Sequence, residues 1–438
     1  MFYDTSSSTP GEWFLKSVAD TPELETQYRE WLDRFCSYEE RKKHVSALQR
    51  ILSRYAAANK EEDRAIEKAL GWQKGDFTYH WIRYYSKPGC TSWLAAPDIS
   101  PTGNTVVQKV RDYQGQNMLS VKIYRSAPDR FRVVTVGDLW HSGACAVMNE
   151  KGVVITQNDA PGTWEKNPRS VTFGSSYLLR YLAEHCATAA EALATLEKIY
   201  KSGFVRGGDL YFIADPAEGF VVESTSKSFV PARIGFGFDV RSNDFVLPGT
   251  VSIMQRERQA YLNGMNRRFS AVENLRNALK TKKHLEISDL IATSRLRDPE
   301  AEAAGMRQIC MKDTISSMMF LPDAEYPEVL STLFLALGPV RHTLFLPIPI
   351  CLGKLPMELV NGSWAKRAFA LREKIGLDHG RLEEFAALEN KFIRGYFRCR
   401  TICRKLLAQN DRAGAEQLLE EFFFSCFKKA RRFTDTLL

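Results

Sequence analysis

The chain has 438 residues, 44% of them hydrophobic and 26% charged, with a formal net charge of +8. That balance belongs to a globular protein and excludes a disordered or fibrous polymer. The basic residues are spread along the chain rather than gathered with aromatics in one block, which argues against nucleic acid as a partner.

The length suggests about three domains, or one large domain with helical extensions. The start, Met1-Phe2-Tyr3-Asp4, lacks a basic region leading into an apolar core, so no secretory signal is read. The longest apolar runs, near Leu333 to Leu337 and Leu344 to Cys351, are far short of a bilayer span. These features predict a cytoplasmic protein with no integral membrane segment. Nine cysteines form an odd, scattered set without Cys-x-x-Cys pairs, indicating neither a disulfide framework nor a zinc module. No metal or other cofactor is called for.

Residues 1 to 89 read as helical. Thr21-Pro22-Glu23 is a helix start, and Leu24, Tyr28, Trp31, Leu32 and Phe35 share the face that follows. Ser37 with Glu40 matches a capping box, and Leu48, Ile51, Leu52 and Tyr55 continue that stripe. A third helix ends near Gly71, and Phe77 to Tyr85 is extended. The segment is either a pro-region, released or retained after cleavage, or a small helical domain fused to an enzyme.

From Cys90 the pattern turns to strands. Cys90 to Ala96 is one, Pro97 to Asn104 a turn, and Thr105 to Asp112 the partner that returns a cation and a carboxylate to the cysteine. Met118 to Tyr124, Phe131 to Val136, Gly143 to Met148 and Val153 to Gln157 follow, then helices at Ser175 to Cys186 and after Thr188. Asp209 to Ala214 and Phe220 to Glu223 form a hairpin, and Phe229 to Val246 is read as further strand. Gln255 to Leu279 and Ile287 to Leu296 are helical, Thr314 to Leu321 and Leu333 to Ile350 strand, and the chain from Pro356 onward mostly helical. Strands, a helical pair and more strands predict stacked sheets with helices outside.

The chemistry centres on Gly89-Cys90. A cut between them makes Cys90 a terminus bearing both thiol and amine, and an α-amine with a pKa of about 7.7 to 8 can serve as base for its own thiol. Lys109 or Arg111 can supply a positive charge that favours the thiolate. Glycine before the cysteine leaves the carbonyl open to attack by the thiol, so self-cleavage by an N-to-S acyl shift is one reading of Gly89-Cys90, and a buried free cysteine opening an ordinary strand is the other.

Gly89-Cys90-Thr91-Ser92, the return strand ending at Asp112, Met148-Asn149-Glu150-Lys151-Gly152, Asn158, and Ser242-Asn243 before Leu247-Pro248-Gly249 resemble the cysteine N-terminal nucleophile (Ntn) hydrolases. That group holds the choloylglycine hydrolases, the acyl-coenzyme A:6-aminopenicillanic acid acyltransferases and a family of dipeptidases. Ile213-Ala214-Asp215-Pro216, Ala336-Leu337-Gly338-Pro339 and Ser363-Trp364-Ala365 tilt the resemblance toward the dipeptidases, and it spans about Gly89 to Leu388. It implies an α+β, four-layer αββα Ntn-hydrolase sandwich over 90–350, with a helical leader at 1–89 and a helical extension at 351–438. It also implies Cys90 as nucleophile, Lys109 where the family has arginine, Asp112 orienting the new amine, and Asn158 and Asn243 holding the oxyanion. Arg256 matches a supporting arginine of the choloylglycine hydrolases, and Arg111 is assigned to substrate.

Two departures stand out. The family's Arg-Asn-x-Asp becomes Lys109-Val110-Arg111-Asp112, and an 89-residue leader is more like the acyltransferases than the dipeptidases. Singly, Lys109 and Asp112 fit a solvated cross-strand pair, and the asparagines fit ordinary turn or strand-end residues. Together, after Gly89-Cys90, they read as the site of a self-processed zymogen. It would be a cysteine amidohydrolase cleaving a small amide or peptide, a dipeptidase in particular. An acyltransferase or a non-catalytic binding protein is the alternative.

Outside this set, Ser224-Thr225-Ser226-Lys227 has Ser-x-x-Lys spacing by chance. His141 is near the mouth by sequence. Cys399 and Cys403 share a helical face without further ligands. The tail, with Phe422-Phe423-Phe424, is amphipathic and reads as packing on the core or as a contact in a homo-oligomer.

Overall fold

Alternating and continuous apolar runs fold into two antiparallel sheets in the computed structural model, which describes all residues except 1, 6–9, 21, 24, 27–28, 31–37, 78–88, 114–118, 140–142, 161–173, 204–207 and 253–257. The six-stranded sheet runs in the order β11 (Phe238–Arg241), β2 (Cys90–Ala95), β3 (Val106–Asp112), β12 (Thr314–Leu321), β13 (Thr332–Leu337) and β14 (Leu346–Pro349). The seven-stranded sheet runs β10 (Phe229–Ile234), β9 (Gly219–Ser224), β8 (Asp209–Ala214), β7 (Val154–Asp159), β6 (Ala146–Asn149), β5 (Val133–Asp138) and β4 (Leu119–Tyr124). A short pair, β1 (Phe2–Asp4) with β15 (Lys354–Pro356), ties the beginning of the chain to the C-terminal region.

Side-chain alternation along each strand sorts residues into three cores. Leu94, Val107, Val121, Val134, Phe212 and Met318 meet between the sheets. Ile155, Tyr211 and Val222, on the outer face of the seven-stranded sheet, pack on Tyr177 and Leu182 of the helix Ser175–His185 and Leu196 of Ala189–Lys201. Trp93, Val110 and Phe334, on the outer face of the six-stranded sheet, meet Leu275 of Arg258–Thr281, Leu290 of Ile287–Ser294 and Tyr396 of Leu382–Ala408. Helix, sheet, sheet, helix is the expected αββα sandwich.

The predicted strand from Phe229 to Val246 is two strands in different sheets. The chain crosses between layers at 235–237, where Gly237 has φ +68, a left-handed conformation that glycine adopts without a Cβ clash. The run from Leu333 to Ile350 likewise divides into β13 and β14 around Gly338, whose φ is +113 and whose missing Cβ leaves room for Ala368. Thr188 caps its helix as expected, its hydroxyl accepting from the Glu191 N–H at 3.1 Å.

In the leader, helices occupy Tyr38–Tyr55 and Ala57–Ala69, and a further helix at Pro10–Asp20 was not anticipated. The face predicted from Leu24 to Phe35 and the extended segment after Phe77 fall largely outside the described residues.

At the other end the tail helix Arg412–Leu437 packs on the core through Phe423, Phe427 and Ala430. Cys399 and Cys403 are buried with their sulfurs 4.0 Å apart, among Leu407, Ala415 and Leu419. Among the described residues no cluster of metal-ligating side chains is found, and no helix is long and apolar enough to cross a membrane. Ser224 ends β9 and donates to the Asp209 carbonyl at 3.2 Å, a sheet contact.

Candidate active site

The hairpin register sets the site. Cys90 lies opposite Arg111 and Ser92 opposite Lys109, so all four side chains point toward the second sheet. Asp112, one residue on, points the other way, toward the helix Arg258–Thr281. Two half-sites thus lie on opposite faces of one strand pair.

On the inter-sheet side, Lys109 is 2% exposed and its ammonium is saturated by three acceptors. It lies 3.3 Å from the Cys90 sulfur and 3.0 Å from Asn158 Oδ1, and it also donates to the Gln157 carbonyl. Ser92 donates to the same Asn158 oxygen at 2.7 Å. The Asn158 amide hydrogens go to the carbonyls of Arg241 and Ser242, at 3.3 and 3.1 Å. Asn158 on β7 therefore anchors the cation to the sheet opposite.

The backbone nitrogen of Cys90 donates to Asn243 Oδ1 at 2.9 Å, and the Ser242 hydroxyl donates to the Cys90 carbonyl at 3.2 Å. Asn243 in turn donates through Nδ2 to the Asp159 carbonyl at 2.6 Å. On the helix side, Arg267 bridges Asp112 at 2.9 Å and Asn243 Oδ1 at 2.5 Å, while Thr314 donates to the other Asp112 oxygen at 2.6 Å. Asp112 N–H also holds the Gly89 carbonyl at 2.7 Å. A Cβ on Gly89 would collide with both Arg267 and Asp112, so only glycine fits ahead of the cysteine.

Burial pushes the Asp112 carboxyl up to about 6, with Asp313 adding to the rise and Arg267, Arg307 and Thr314 opposing it. Burial also lowers Arg267, against the pull of Asp112. The pair is held by geometry in a dry place, where desolvation outweighs attraction. The sign follows: Asp112 binds its proton more tightly folded than unfolded, so its contribution to stability falls as pH rises from about 4 to 6. Activity that needs the carboxylate moves the opposite way and drops as pH falls through about 6. We predict an acid limb there in the pH–rate profile, absent from the residual activity of Asp112→Asn.

The sequence-assigned residues do not all converge. Cys90, Lys109, Asn158, Asn243 and Asp112 lie within one hydrogen-bonded network. Arg111 has its fork on Asp138, at 3.1 and 2.9 Å, and lies over the Tyr113 ring. Its guanidinium fork is thus taken up by a carboxylate of the other sheet. Asn149 is a turn former, joining Lys151 and Val153 to the helix end at Ala183 and Cys186. Arg256 and His141 lie outside the described residues.

Sequence reasoning missed Arg267 and Thr314, and named Ser242 without giving it a role. Arg267 carried a signal, because Gly264, Arg267, Ala271 and Leu275 form one buried helical stripe, and an arginine on such a stripe needs a buried partner.

This geometry is a two-sheet sandwich presenting a cysteine at the first residue of an interior strand, with separate partners for its sulfur and its nitrogen. No protein-family model matches the sequence, and no curated protein matches it. Similar solved structures include a variant of the conjugated bile acid hydrolase from Clostridium perfringens, with 10% identity and a TM-score of 0.38 over 59% of this chain and 92% of that one. The Caenorhabditis elegans ortholog of N-acylethanolamine-hydrolyzing acid amidase has 16% identity and a TM-score of 0.36 over 55% of this chain and 97% of its own. Penicillin V acylase from Agrobacterium tumefaciens has 13% identity and a TM-score of 0.35, covering 57% and 83% of the two chains.

Proposed function

We propose that the chain is a self-processed cysteine Ntn amidohydrolase, related to the choloylglycine hydrolases and the Ntn dipeptidases, that cleaves a small linear amide such as a dipeptide. The observation that carries this reading is the separate provision for the two atoms a cut would join in one terminus. Asn243 holds the Cys90 nitrogen at 2.9 Å, and Lys109 stands 3.3 Å from its sulfur.

In processing, the Cys90 sulfur attacks the Gly89 carbonyl carbon. The S–C bond forms, the C–N bond breaks, and the nitrogen takes a proton to become the free amine. Water then hydrolyses the thioester, giving a Gly89 carboxylate and restoring the thiol. In turnover the amine accepts the thiol proton, the sulfur attacks the substrate carbonyl, and the proton passes to the leaving amine. Water, entering by the same base, releases the acyl group.

Lys109 supports the thiolate, and Asp112 with Arg267 fixes Asn243 and so the amine. The sequence reading gave both asparagines to the oxyanion. Asn243 Nδ2 spends one hydrogen on Asp159 and has a second for that role, whereas Asn158 gives both to backbone carbonyls and seats Lys109.

Intact-mass analysis of the purified protein tests the processing step. A fragment beginning at Cys90 is expected, and an unbroken 49.8 kDa chain in an active preparation contradicts it. Gly89→Ala should leave the chain uncut, because its methyl displaces Arg267 and Asp112; denaturing electrophoresis reads the result. Incubation with dipeptides and with an acyl-coenzyme A plus an amine separates hydrolysis from acyl transfer by product.

A further inference from the structure

On β9, Val221 faces the six-stranded sheet from within the core between the sheets, and two residues on, on the same face, stands Glu223. Glu223 is fully buried, and its cross-strand neighbours are Leu210 and Val230. A charge in such a place is costly unless donors satisfy it, so its presence asks for a task.

Four donors satisfy it, and all belong to one segment, residues 241–250. Arg241 at the end of β11 donates through Nε to Oε1 at 3.3 Å, and the Val246 N–H donates to the same oxygen at 2.9 Å. The Leu247 N–H reaches Oε2 at 3.1 Å, and the Thr250 hydroxyl donates to that oxygen too. One carboxylate thus holds both ends of the segment, reaching from the seven-stranded sheet to chain that leaves the six-stranded one.

Between the two ends lie Ser242 and Asn243, which hold the carbonyl and the nitrogen of Cys90. The carbonyls of Arg241 and Ser242 also take the amide hydrogens of Asn158, whose oxygen seats Lys109. Arg267 reaches Asn243 from the helix side, whereas Glu223 acts on its chain segment from the sheet side.

We infer that Glu223 is a positioning residue, which closes 241–250 on its carboxylate and so aims Asn243 at the Cys90 nitrogen and keeps Asn158 in register with Lys109. The inference rests on the amidohydrolase reading above. The contribution is one of reach, because a misplacement of about 1 Å at a reacting group can cost about a hundredfold in rate.

Two variants separate reach from charge. Glu223→Asp keeps the charge but is a methylene short, and kcat and the rate of cutting should each fall about a hundredfold with KM changed less than about twofold. Glu223→Gln keeps the length and one acceptor oxygen, and should lose only about tenfold. The comparator is Glu389→Gln, another buried carboxylate, held by Arg295 and the Phe345 N–H beneath the outer helices. It should lower the thermal midpoint with kcat unchanged. Should neither Glu223 variant fold, Thr250→Val removes a single donor and should lower kcat about fivefold; an unchanged kcat there overturns the inference. So does a Glu223→Asp enzyme more active than Glu223→Gln, or a kcat that follows the thermal midpoint alike in the Glu223 and Glu389 variants.

A readout without turnover keeps the two readings apart. In the Cys90→Ala chain, hydrogen exchange of the residue 90 amide, whose acceptor is Asn243, should quicken about tenfold on adding Glu223→Asp. Unchanged exchange sinks the positioning role whatever the activity. Faster exchange alongside a parent protein that neither cuts itself nor hydrolyses any dipeptide sinks the amidohydrolase reading and leaves the hold of Glu223 on Asn243 standing.

Discussion

Cys90→Ala is expected to give one uncut chain of 49.8 kDa and to lower turnover by about four orders of magnitude or more. Both losses have one cause. On the proposed mechanism the sulfur attacks both in processing and in turnover, and the side chains of its hydrogen-bond network, Lys109, Ser92 and Asn158, are weaker nucleophiles than a thiolate. The alanine protein should still fold, because Cys90 is a small buried side chain whose backbone contacts to Asn243 and Ser242 survive the change. Circular dichroism and thermal unfolding provide the control. An alanine variant that is cut at position 90, or that hydrolyses substrate at the parent rate, removes the sulfur from the chemistry.

Arg267→Leu is the second large effect. It leaves Asp112 buried beside Thr314 without its closest cation and deprives Asn243 Oδ1 of a donor. Breaking a buried pair from one side costs about 3–5 kcal/mol, enough to move a urea midpoint clearly. Processing should fail as well, since Asn243 would lose the contact that aims it at the Cys90 nitrogen. Arg267→Lys should recover part of the stability and little of the processing, because a point charge cannot hold Asp112 and Asn243 at once as the fork does. Equal recovery of both would reduce Arg267 to a simple counter-ion.

The hairpin was legible because its information is local. Fifteen residues separate Ala95 from Arg111, a turn-rich run lies between the strands, and period-two alternation decides that Cys90, Lys109 and Arg111 share a face. The helical pair after Ser175 was legible from a cap and a stripe. What escaped depends on distance along the chain. Arg267 meets Asp112 across 155 positions, and although its stripe marks it as facing inward, only the facing sheet supplies its partner. The passage from β10 to β11 kept strand-like composition while changing sheets, so only pairing partners reveal the crossing. Likewise Glu62 looks like any solvated helix acid until Arg180, 118 residues later, folds against it. Arg111 shows the converse: its place beside Cys90 was readable, but its commitment to Asp138 on the other sheet was not.

The most direct test asks whether the working enzyme carries a 1,2-aminothiol. Active protein treated with 2-cyanobenzothiazole, which condenses with a terminal cysteine and spares internal thiols, should gain one adduct. That adduct should map to Cys90, and activity should disappear in step with its formation. Full activity in protein that takes up no reagent would mean that the Gly89–Cys90 bond is whole in the catalyst, and that the base for Cys90 comes from somewhere else.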